Sequence, residues 1–139
     1  MAKMRIQIFF LILFYTLPSF GREENLDKVK VADGKDYVMY YFKSSIKDLP
    51  PDWKKVWVLK NFKPGKADIS PKVKSNRTNI VFDCVHKTYY TLSSINYTEY
   101  DALSKPALQT ASGFNPKEGN IDPNSDLMMI FNQVCKQLI

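Results

Sequence analysis

The 139-residue chain contains two cysteines, one histidine and five glycines, and each scarcity removes a class of chemistry. With His86 as the single imidazole, a secreted nuclease that uses one histidine as acid and another as base is excluded. Glycine-rich phosphate loops, nucleophile elbows and metal-binding repeats are absent. The acids are scattered, and no spacing assembles a carboxylate pair. No internal repeat and no low-complexity tract interrupts the sequence. These absences predict no catalytic residues, no metal ligands and no cofactor.

One apolar run is present, at the start. Lys3 and Arg5 precede an apolar stretch from Ile6 to Phe20, and the small residues Ser19 and Gly21 close it, which is the pattern of a secretory signal cleaved after Gly21. A membrane anchor is the competing reading, but Gln7 and Pro18 break the run, which is shorter than the ~20 residues a spanning helix needs. Residues 1–21 are therefore read as a signal peptide and the product as exported, periplasmic or secreted. What remains is of single-domain length, enough to bury a core.

Cleavage removes Lys3 and Arg5 and no acid, which lowers the formal charge from +6 to +4. The charge is unevenly spread. Lys54, Lys55, Lys60, Lys63, Lys66, Lys72, Lys74 and Arg77 meet a single acid, Asp68, across the same stretch. Such a segment attracts polyanions or acidic protein surfaces and is the candidate binding segment. The plainer reading is a solvated hairpin whose lysines guard its edge. Nucleic acid is not expected as a partner, because no binding module is recognisable.

Residues 22–35 are polar and read as a flexible leader, with the domain spanning 36–139. From residue 37 to 42, Tyr37, Met39 and Tyr41 alternate with Val38, Tyr40 and Phe42, so both faces of a strand are apolar. Pro50-Pro51 marks a connection. A second two-faced strand covers residues 55–62, with Val56 and Val58 opposed to Trp57 and Leu59, and Pro64-Gly65 ends it. Residues 72–77 are too polar to assign. The longest alternation, residues 79–92, predicts one strand with Cys84 and His86 on the same face. A turn at 93–96 into a short strand at 97–100, then an irregular loop with one edge strand over 104–120, completes the β-rich part. Leu127, Phe131, Val134, Cys135 and Leu138 share one face of a C-terminal helix. Asp122 before Pro123 is its expected N-cap, and Asp126 complements the helix dipole.

Export into an oxidising compartment makes Cys84 and Cys135 read first as one disulfide, clamping the helix to the sheet. Closing a loop of this length is worth about 4 kcal/mol on chain-entropy grounds. Cys84 with His86 as nucleophile and base, or Cys84, His86, Cys135 and Asp83 as a zinc site, would each require free thiolates. His86 is expected as a partly buried polar residue between sheet and helix, on the opposite face from Asp83. Asn76-Arg77-Thr78 and Asn96-Tyr97-Thr98 are N-glycosylation sequons, relevant only in a eukaryotic source.

The string Tyr41-Phe42-Lys43-Ser44-Ser45-Ile46, then Val56-Trp57-Val58-Leu59-Lys60-Asn61-Phe62, Phe82-Asp83-Cys84, and Pro123-Asn124-Ser125 ahead of Val134-Cys135, resembles the surface-adhesin protein E family across nearly all of the mature chain. The resemblance implies an α+β fold: an antiparallel sheet of about six strands with a C-terminal helix across one face, tied by one disulfide. It also implies a bacterial source and a non-enzymatic envelope adhesin that binds vitronectin, laminin or plasminogen and can form a homodimer. The family's lipoprotein member carries a lipid-acceptor cysteine, and this chain has none near Gly21. The alternatives are a periplasmic envelope accessory protein without adhesin activity, or a small secreted or periplasmic enzyme using His86 with Asp83 or a tyrosine.

Overall fold

The computed structural model describes residues 27–68, 70–111 and 118–136. The expected signal peptide, the helix residue Leu138 and part of the expected leader lie outside them. Among the described residues eight strands form one sheet: β1 (Lys28–Asp33), β2 (Tyr37–Phe42), β3 (Lys47–Leu49), β4 (Trp53–Phe62), β5 (Ser75–Asp83), β6 (Thr88–Tyr97), β7 (Pro106–Ala111) and β8 (Glu118–Asn120). The helix α1 (Asp126–Cys135) follows. The main path runs β1-β2-β4-β5-β6-β7, with β3 beside the start of β4 and β8 beside the start of β6. Each pairing is antiparallel. The predicted architecture is the observed one, with two short strands added to the expected six.

Strand pairing sorts the alternating side chains onto two faces. On one face Met39, Tyr41, Val56, Val58, Ile80 and Phe82 pack against Ile130, Phe131 and Val134 of α1. Phe82 and Phe131 meet edge to face, 5.6 Å between ring centres. Burying each such side chain stabilises the fold by roughly 1.5–3 kcal/mol. Of the predicted helix face, Phe131 and Val134 are buried and Leu127 packs at the margin, while Ile130, absent from the prediction, is fully buried. On the opposite face Phe42, Leu59, Tyr97 and Ala102 form a second cluster, with Tyr40, Trp57 and Ile95 around it. A 3-10 turn at Tyr100–Ala102 covers that end. The aromatic alternation in β2 and β4 thus reports real cover on both sides.

The disulfide joins Cys84 to Cys135 with Cα atoms 5.6 Å apart. Cys84 is not mid-strand, however, because the predicted long strand over 79–92 folds into a hairpin. Asp83 ends β5, and its Oδ1 accepts the N–H groups of Val85 and His86, both at 3.0 Å. Such a side-chain turn needs neither glycine nor proline, which is why strand alternation ran through it unseen. The thiols are consumed in the bond, so the nucleophile and zinc readings of Cys84 and Cys135 fail.

Four smaller expectations also change. Residues 28–33, read as leader, form the edge strand β1, in which Val29 pairs with Tyr41 and Val31 and Ala32 pack on the helix-side core. The predicted turn at 93–96 is instead the middle of β6. The strand skips Leu92 as a bulge, Asn79 pairing with Ser93 and Ile80 with Thr91, and so continues past it. The segment 104–120 supplies two strands, β7 and β8, both on β6. The helix is capped by Ser125, whose Oγ accepts the Met128 N–H at 3.2 Å. Asp122 accepts from Asn124 at 2.9 Å and shapes the preceding turn.

Candidate binding surface

Among the described residues the cover on the sheet face opposite α1 is uneven. Near Leu59 the turn Tyr100–Ala102 lies on it. At the other end of β4 an open groove of about 370 Å³ is lined by Leu49, Trp53, Val81, Tyr90 and Leu92. Register explains the grouping. Leu49 pairs with Trp53, and Val81 pairs with both Lys55 and Tyr90, so these side chains stand in adjacent rows on one face. Leu92 is the bulge residue and is 38% exposed. Trp53 and Tyr90 rings are 5.9 Å apart, forming the aromatic floor. Lys47 pairs with Lys55, so two cations lie in the row that carries Val81 and Tyr90.

The eight basic residues singled out from sequence are not gathered on this surface. Lys54 points to the helix side, is buried and ion-pairs with Asp48. Lys55 alone lies beside the groove. Lys60 is half-buried on the helix side, its Nζ 4.5 Å from the centre of the Tyr37 ring. Lys63 pairs with Asp33 at 3.0 Å and Lys66 with Asp36 at 3.7 Å. The Lys63 hydrogen bond, then its charge, hold the Asp33 carboxyl below its ordinary value despite slight desolvation. Lys72 is exposed, and Lys74 pairs with Glu99 at 3.4 Å. Arg77 stacks 4.8 Å from the Trp57 ring and 5.0 Å from that of Phe42. Counting acids within the segment missed these partners, because Asp33, Asp36, Asp48 and Glu99 arrive from other strands and loops.

His86 is exposed rather than held between sheet and helix, and its Nδ1 lies 2.8 Å from Asp83 Oδ2. The opposite-face expectation for Asp83 and His86 is overturned by the hairpin turn, since alternation ends where the strand does. Burial raises the Asp83 carboxyl, but its bonds to His86 and Val85 outweigh this and leave it below the ordinary value. That carboxylate already terminates the turn backbone, so its evident work is structural. Among the described residues no group of three or more His, Cys, Asp or Glu side chains is placed to hold a metal ion. No helix among them is long and apolar enough to cross a membrane.

Both sequon asparagines are buried. Asn76 Nδ2 donates to Asn96 Oδ1 at 2.8 Å and to Ser94 Oγ at 2.7 Å. Neither amide is presented to a glycosylating enzyme in the folded chain.

The sequence model of one family, described as Surface-adhesin protein E, matches residues 27–136. Crystal form II of Haemophilus influenzae protein E has a similar structure, with a TM-score of 0.55 and 17% identity, covering 78% of this chain and 97% of that one. Another structure of Haemophilus influenzae protein E gives a TM-score of 0.54 at 16% identity, covering 79% of this chain and 94% of that one. At such identity the structural likeness concerns the fold. Among curated proteins none matches the chain.

Proposed function

The chain belongs to the surface-adhesin protein E family, and on that premise we propose that it is a non-enzymatic, exported binding protein of the bacterial envelope whose far-face groove engages a host matrix or plasma protein. Family membership makes it an adhesin-like surface protein; the choice among vitronectin, laminin and plasminogen belongs to the proposal. One observation carries the choice of surface: the groove of Leu49, Trp53, Val81, Tyr90 and Leu92 sets two aromatic rings in an open apolar trough with Lys47 and Lys55 at its side. Aromatic anchors ringed by polar residues dominate the energetics of protein interfaces. The lysines supply steering toward an acidic partner.

The test is binding of the signal-free protein to immobilised vitronectin, laminin and plasminogen across a salt series, with Trp53→Ala as the probe of the groove. Parent binding that weakens about tenfold or more in Trp53→Ala, with the melting temperature held, supports the reading. Absence of parent binding to all three proteins at low salt removes it.

A further inference from the structure

On the helix side of the sheet, the core stops short of the N-terminal end of α1. A cavity of about 290 Å³ remains there, with Met39, Val58, Ile80 and Leu127 as apolar lining and Tyr37, Lys60 and Asp126 as its polar groups of consequence. Its size is close to the lower end of small-ligand pockets. The internal bonding of the polar groups decides what could enter.

Asp126 is already engaged, because the Tyr37 hydroxyl donates to its Oδ2 at 2.8 Å. Burial, the bond to Asp126 and the charges of Asp126 and Asp36 all push the Tyr37 phenol above its ordinary value, so it remains the donor. Lys60 is different. Its Nζ lies 4.5 Å from the centre of the Tyr37 ring, and no carboxylate among the described residues stands in ion-pair range of it. Burial pulls the ammonium below its ordinary value, with Asp126 and Asp68 opposing at longer range. A partly desolvated cation without a direct counter-ion is unfavourable, and a carboxylate brought to it would relieve that.

We propose that this cavity binds a small organic carboxylate, its head on Lys60 and a short apolar body against Met39, Val58, Ile80 and Leu127. A bare inorganic anion would leave the apolar lining unused. A neutral molecule of the same shape would leave Lys60 without its counter-ion. The site is separate from the proposed adhesive groove, because the two lie on opposite faces of the sheet, so each can fail alone.

Amide-resolved NMR of the signal-free protein distinguishes the cases, with hexanoate, hexanamide and inorganic phosphate as probes. Hexanoate should shift resonances of β4 near Lys60 and of the first turn of α1 in a saturable way, with hexanamide binding about tenfold or more weakly, in line with the greater strength of charge-assisted bonds. Lys60→Met should reduce hexanoate binding to the level of hexanamide. The comparison of the three probes on the parent protein stands even if that variant does not fold. Equal binding of hexanoate and hexanamide, matching shifts from phosphate, or no saturable shift with hexanoate would each overturn the proposal.

Discussion

The two faces of β4 begin from nearly the same composition and end in different states. Lys54, Val56, Val58 and Lys60 alternate toward α1, while Lys55, Trp57, Leu59 and Asn61 alternate away from it. The first set is roofed by a helix whose far end is covalently tied to the β5–β6 turn through Cys84 and Cys135. Among the described residues, the second is roofed near Leu59 by the turn Tyr100–Ala102 and opens into the groove around Trp53. Alternation in a strand states which residues seek cover. It does not state which of them receive it, because the cover comes from segments distant in sequence.

The largest break in this comparison comes from the covered face. Phe131 is buried between Phe82 and the aliphatic core, and truncating such a side chain costs ~3–5 kcal/mol through lost transfer energy and the cavity left behind. Phe131→Ala should therefore lower the denaturant midpoint sharply, since a small domain holds only about 5–15 kcal/mol in total. A midpoint equal to that of the parent would show that α1 does not carry the core. Trp53→Ala, in the groove of the opposite face, should move the midpoint far less while acting on partner binding.

A smaller effect tests how the partial roof on the far face is held. Asp101 sits at φ 58° and receives Asn61 Nδ2 at 2.8 Å, and Lys28 Nζ bonds to it from β1. Burial raises the Asp101 carboxyl, but the bonds from Lys28 and Asn61, with the Lys28 charge, leave it below its ordinary value. The folded carboxyl is thus more acidic than the unfolded one, and the unfolded chain takes up the proton first. This contribution is whole above the unfolded value near ~3.9 and is lost as pH falls through the lower folded value. Asp101→Asn keeps a side chain that tolerates the left-handed backbone and should cost below ~1 kcal/mol at neutral pH, the scale of partly exposed pairs. Unfolding titrations between neutral pH and pH 3 should show the parent and the variant converging as the pH falls. A gap that persists or widens on acidification would assign the effect to backbone strain instead.

The legible parts of the fold were those written in local periodicity. The two-faced strands around Tyr40 and Trp57 were readable because both of their faces are in fact covered somewhere along the sheet. The α1 stripe was readable from Phe131 and Val134, and the disulfide from two cysteines in an exported chain. The illegible parts depend on a single side chain bending the backbone or on partners from elsewhere. Asp83 ends β5 by capping its own turn, so His86 left the strand without any glycine or proline to announce it. Leu92 slips out of register, and no composition signal marks a bulge. The candidate groove was missed because Leu49, Trp53, Val81 and Tyr90 come from four strands. The pairing of the charged segment was hidden for the same reason, since the acids opposite Lys54, Lys63, Lys66 and Lys74 lie outside it.

The smallest stability effect, and the sharpest separation of the two ends of β4, is expected from its lysines. Lys63 and Lys66 lie just beyond Phe62, whereas Lys47 and Lys55 lie beside the groove near Trp53. At about 3.3 Å per residue the two ends of β4 are roughly 30 Å apart, well beyond the screening length of about 8–10 Å at ordinary salt. Reversing Lys63 and Lys66 to Glu places each beside Asp33 or Asp36, but these pairs lie in solvent, and the stability change should be smaller than that of Asp101→Asn. Its association rate with immobilised vitronectin or laminin should equal that of the parent at physiological salt. Reversing Lys47 and Lys55 should slow association, and the slowing should fade as salt is raised, because steering acts on encounter rather than on the bound contacts. If the Lys63 and Lys66 pair slowed association while the Lys47 and Lys55 pair did not, the adhesive surface would have to be moved from the groove near Trp53 to the loop that follows β4.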